Sequence, residues 1–192
     1  IRIFRGHIPH WCNKLVSGYL LFFLIFCAGC KIDSDKKVER DKFLFKTGDD
    51  TELFFKNVRQ SDYELETNEA AKFNVFRHED RPVEDSVLWI TPAIIMNYLQ
   101  DEAYILLEPS QLLVVEDELV VVHAASYDTL RLATPNREEN LEFASRIYEH
   151  IKKGDTLLIR TGNDYKPFLM DRNEAEIFRV TMGDYYRLTR IF

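Results

Sequence analysis

The chain has 192 residues, of which 46% are apolar and 30% charged, with a formal net charge of −7. That balance argues against a nucleic-acid partner, because phosphate contacts need a surplus of Lys and Arg. The three cysteines, Cys12, Cys27 and Cys30, all fall within the first thirty residues. Disulfides, zinc–thiolate sites and cysteine nucleophiles are therefore excluded from the rest of the chain.

The N-terminal head carries Arg2, Arg5 and Lys14 and no acid. Residues 15–30 follow as 16 uncharged residues ending in Cys27-Ala28-Gly29-Cys30. A membrane-spanning helix needs about 20 apolar residues. An export signal needs only about 7–15 after a basic head, with small residues at the cut. The second description fits this segment better than a spanning or a buried helix. The segment resembles the signal of bacterial lipoproteins, in which Leu, a small residue, Gly or Ala, and Cys form the lipobox. Ala28, Gly29 and Cys30 match three of those four positions, with Cys27 where an aliphatic is usual. The resemblance implies cleavage after Gly29, a diacylglyceryl group on the Cys30 thiol and an acylated new amine. Two or more acyl chains anchor a protein stably, so the implied partner of residue 30 is a membrane.

Residues 31–41 are almost wholly polar and read as a solvated tether. Acids just after the cysteine, Asp33 and Asp35, loosely resemble the surface-export signals of lipoproteins from the Bacteroidetes. The periplasmic and surface faces of the envelope, with the outer membrane as the expected site, both stay open. The expected organisation is a signal at 1–29, a lipidated cysteine and tether at 30–41, and one domain at 42–192. Without the three cations of the head, 22 cations stand against 32 acids, a net charge of −10. Such a charge favours a basic protein partner and solubility alike.

The domain reads as α+β with a mostly antiparallel sheet, because strand patterns dominate and helices fall late. Residues 43–45 and 53–55 flank a Thr47-Gly48-Asp49-Asp50 turn and suggest a hairpin. Residues 71–77 alternate weakly. Residues 87–90 suggest a short strand stopped by Pro92, and 93–99 fit a helical turn or a strand equally. Residues 103–107 form a strand ended by Pro109. Residues 112–115 and 119–122 suggest a hairpin around Glu116-Asp117-Glu118, or one long strand with a bulge, and 129–133 another strand. A helix over about 137–153 is marked by Asn136 with Glu139, by apolar residues at helical spacing, and by Gly154. A strand at 156–161 follows. Asn173 with Glu176 opens a shorter helix over about 174–182, stopped by Gly183, and 185–192 suggest a final strand.

Standard catalytic signatures are missing: there is no phosphate-cradling glycine loop and no Gly-x-Ser-x-Gly elbow. No cofactor is expected. His78, His123 and His150 show none of the close spacings of metal sites, so no metal ligand is assigned. Glu116-Asp117-Glu118 fits a hairpin tip better than a calcium loop. Asp101, Glu102 and Glu108 are the candidate catalytic carboxylates, since paired carboxyls about 5–9 Å apart run glycoside hydrolysis. His123, at a strand end, is the candidate general base. Tyr165 and Phe168, in an exposed loop expected after the Gly162-Asn163-Asp164 turn, are the candidate partner-binding aromatics. Two functions follow as expectations. The first is a lipid-anchored, non-catalytic binding or accessory protein, such as a toxin-neutralising or envelope-assembly subunit. The alternative is an envelope hydrolase acting on glycan or peptidoglycan.

Overall fold

The structure is a computed structural model that describes residues 38, 45–84, 87–113, 119–125, 128–133 and 136–192. Ala28, Gly29, Cys30, the bulk of the tether and the run Glu116-Asp117-Glu118 lie outside the described residues. The described elements form two four-stranded antiparallel sheets and three helices, an α+β fold.

The first sheet is a meander of β1 (Tyr63–Asn68), β2 (Phe73–His78), β3 (Ile90–Asn97) and β4 (Glu102–Pro109), paired in chain order. Successive strand side chains point to opposite faces. On β4 the odd positions Ala103, Ile105 and Leu107 are buried, while Glu102, Tyr104, Leu106 and Glu108 line the more open face. The second sheet has the order β6 (Thr129–Leu132), β5 (Leu119–His123), β7 (Leu157–Thr161) and β8 (Asp164–Phe168). The helix α2 (Arg137–Lys153) connects β6 to β7.

α2 matches its sequence signals at both ends. The Asn136 side chain accepts the Glu139 amide at 2.9 Å, and Gly154 ends the helix at φ 74°. Between them Leu141, Phe143, Ala144, Ile147 and Tyr148 are buried. The C-terminal helix α3 (Arg172–Leu188) corrects the expected one. Asp171, not Asn173, is its cap, accepting the Asn173 amide at 2.7 Å. Gly183 does not stop it, and no strand follows at 185–192. A glycine inside a helix costs only about 1 kcal/mol. Burial of Met182, Tyr185, Tyr186 and Leu188 along one stripe offsets that, since each large apolar side chain contributes about 1.5–3 kcal/mol.

Three further expectations are corrected. Residues 53–55 are not a strand: Asp49–Phe54 is a short helix, α1, followed by a π-helical turn at Phe55–Arg59. Asp49, Asp50 and Glu52 sit at its positive end, and the Thr51 hydroxyl donates to the Leu188 carbonyl at 2.8 Å. Pro92 does not stop a strand but lies inside β3. It pairs with Leu107 of β4, while β2 pairs no further than Ala93. Pro92 thus stands where β3 has one neighbour, a position that tolerates a missing N–H. Residues 165–168 are not a loop but part of the edge strand β8.

α3 is fixed by a buried carboxylate. Asp184 is 3% exposed. The Arg59 Nε donates to both of its oxygens, at 3.0 and 2.9 Å. The Tyr63 hydroxyl donates at 2.8 Å and Arg187 at 3.1 Å. Burial pushes the Asp184 carboxyl above its ordinary value, against the pull of Arg59. Two residues on, the Tyr186 hydroxyl donates to Ser145 Oγ at 2.8 Å, and its ring meets Tyr148 edge-on at 5.2 Å. α3 is thereby tied to the start of β1 on one side and to α2 on the other.

Gly183 offers a direct check of this helix. A Cβ added there meets nothing within 4 Å. Gly183→Ala should therefore stabilise the fold by about 0.5–1 kcal/mol through helix propensity, read as a higher denaturant midpoint. A destabilised variant would show that Gly183 ends the helix in a left-handed conformation.

Candidate functional site

The candidate carboxylates of β4 are not brought together. Glu102 and Glu108 share one face of the strand, six residues apart, which at about 3.3 Å per residue spans roughly 20 Å. That is well beyond the separation at which two carboxyls act across one glycosidic bond. Each has partners of its own. Arg77 donates to both Glu108 oxygens at 2.7 Å and to Glu66 at 2.7 Å. Glu102 accepts the Tyr104 hydroxyl and pairs with Lys46 at 3.0 Å and Arg137 at 3.3 Å. The Arg137 guanidinium lies 5.1 Å from the Tyr104 ring centroid and 5.5 Å from that of Phe45. Asp101 is exposed at φ 50° and offers its carbonyl to the Thr47 amide at 2.9 Å. These groups hold the 45–47 segment against β4.

The partner-binding pair is divided by the strand that carries it. Tyr165 is 50% exposed, but Phe168 is 1% exposed and belongs to the core, so it presents nothing to a partner. An open cleft of about 270 Å³ lies between β6 and α2, lined by Leu130, Arg131, Phe143 and Arg146 among others. None of the sequence candidates lines it.

His123 is drawn into a cluster that sequence spacing does not reveal. Two backbone motifs build it. The first is the end of α2, where the Gly154 amide bonds the Ile151 carbonyl and the Asp155 amide bonds the His150 carbonyl, both at 3.0 Å. This paired C-terminal closure turns the chain back over the last helical turn. Asp155 Oδ2 then stands 2.8 Å from His150 Nδ1. The second motif is the pairing of β5 with β7, in which His123 stands opposite Leu157 and the Ala124 amide bonds the Thr156 carbonyl at 2.9 Å. It brings His123 Nε2 to 3.6 Å from Asp155 Oδ1 and the two imidazole centroids to 5.0 Å.

All three side chains are partly exposed, at 17% for His123, 12% for His150 and 22% for Asp155. The hydrogen bond from His150, aided by the neighbouring charge of His123, holds the Asp155 carboxyl below the usual carboxylate range. The cluster offers two imidazole nitrogens and a carboxylate oxygen at the meeting of a strand end, a helix end and a loop. Of the three, only His123 was a candidate site residue from the sequence, and His150 was assigned no ligand role. The readable signal was Gly154-Asp155 after a helix ending near His150, which places Asp155 over that last turn.

Glu102 gives a pH test of its structural role. The Tyr104 hydroxyl, followed by Lys46, holds its carboxyl below the ordinary value of 4.5. A carboxylate with a depressed folded pKa contributes stability that is present above its ordinary pKa and lost as pH falls through the folded value. Glu102→Gln should therefore lower stability by about 1 kcal/mol near neutral pH. The gap from the unsubstituted chain should narrow as pH falls below the ordinary carboxyl value of 4.5 and through the lower folded value. A gap that stays constant in denaturant unfolding across that fall in pH would contradict this.

No protein-family model, curated protein or solved structure matches the chain.

Proposed function

We propose that the chain is a lipid-anchored protein of a bacterial envelope whose α+β domain binds a protein partner and does not act as a glycan hydrolase. The observation that carries this reading is the basic head and short apolar run ending in Ala28-Gly29-Cys30. A signal of that shape exports the chain, and an acylated cysteine keeps it at a membrane. The net charge of −10 beyond the head, 22 cations against 32 acids, favours a basic partner and repels anionic lipid heads. The separation of Glu102 from Glu108, and the arginines that engage each, support binding over carboxylate-pair hydrolysis.

Metabolic labelling with a fatty acid tests the anchor. The unsubstituted chain should take up label and run as a shortened, membrane-associated species. Cys30→Ala should remain unlabelled and uncut. Labelling of Cys30→Ala equal to that of the parent would rule out lipidation at this residue.

A further inference from the structure

We propose that His123, His150 and Asp155 bind a divalent transition-metal ion of the zinc class. The three residues lie in separate elements, yet one donor atom from each falls within 4.8 Å of the others. Ligand atoms about 2.0–2.2 Å from a tetrahedral zinc stand roughly 3.3–3.5 Å from one another. Asp155 reaches His123 Nε2 through Oδ1 at 3.6 Å and His150 Nδ1 through Oδ2 at 2.8 Å, so its carboxylate lies between the two imidazoles with separations on either side of that range.

The donor set selects the ion. Two imidazoles with one carboxylate suit zinc, nickel, cobalt or iron(II), whereas calcium and magnesium take oxygen ligands. The backbone is already arranged for such a site. Gly154 fixes Asp155 over His150, and the β5–β7 register fixes His123 beside both. An ion entering there takes the place of the hydrogen bond between His150 Nδ1 and Asp155 Oδ2, and a neutral His150 then carries its N–H on Nε2. The partial exposure of all three side chains gives the ion a path from solvent. Three protein ligands leave a coordination position open for water or for a ligand atom brought by a partner. This inference stands apart from the lipid anchor and from the identity of any protein partner.

The competing role for these residues is purely structural: Asp155 closing α2 by a hydrogen bond to His150. Calorimetric titration separates the two. The probe is zinc chloride, added in detergent to the untagged full chain in its uncleaved, unlipidated form with Cys12, Cys27 and Cys30 alkylated. The unsubstituted chain should bind one equivalent, and magnesium should give no binding heat. His123→Gln and Asp155→Asn, each verified as folded by circular dichroism, should weaken zinc binding by roughly tenfold or more. His123 is the sharper of the two, because its loss leaves the His150–Asp155 closure intact. His78→Gln, on β2 in the other sheet, should bind as the parent does. Absence of saturable zinc binding, or equal binding by the parent and His123→Gln, would overturn the proposal. So would a loss in His78→Gln matching that in His123→Gln.

Discussion

The carboxylate of Asp184 is the constraint on which the rest of the domain depends. A buried charge is tolerated only when it is paired and hydrogen-bonded, and removing one partner of such a pair costs about 3–5 kcal/mol. Asp184 meets the condition through Arg59 and Tyr63, more than a hundred residues earlier in the chain. That pairing sets the rotation of α3, because Asp184 can face Arg59 in only one orientation of the helix. Tyr185 and Tyr186 then point into the core, and Tyr186 meets Ser145 and Tyr148 on α2. The placement of α2 follows, and with it the position of His150 in its last turn. A buried polar contact on α3 thus bears, through α2, on the geometry of the histidine cluster.

How much of this was legible in the chain varied with how many signals agreed. For α2 the cap, the apolar period, the terminal charges and the final glycine all pointed to the same limits. For α3 they conflicted: Gly183 and the aromatic run beyond it read as a stop and a strand. Only the tertiary environment shows that Tyr185, Tyr186 and Leu188 lie on one buried stripe of a continuing helix. Pro92 misled in a similar way. A proline reads as a break until the register shows that β2 pairs only as far as Ala93. The segment at 49–55 was misread because three adjacent apolar residues look like a strand, yet only Phe55 is buried.

The candidate site was legible in a single member. His123 stood out at a strand end, but its neighbours lie 27 and 32 residues further along. No local spacing links β5 to β7, whose pairing depends on the intervening strand and helix. The carboxylates of β4 illustrate the opposite case, being close in sequence yet spread along a strand and occupied by Arg77, Arg137 and Lys46. Proximity in sequence suggested a site where there is a set of structural ion pairs. Distance in sequence hid a cluster with usable chemistry.

The chain therefore joins two features of different origin: an N-terminal segment that we propose to be a lipoprotein signal, and a two-histidine, one-carboxylate cluster assembled by the fold. The second is the more consequential for function, because it supplies ligand chemistry on a domain without cysteine beyond Cys30. X-ray absorption at the zinc edge, on the zinc-loaded and thiol-alkylated chain, is the most direct measurement. Scattering from two imidazole rings and a nearby oxygen shell is the expected result. A spectrum with oxygen neighbours alone, and no imidazole scattering, would contradict a site built from His123, His150 and Asp155.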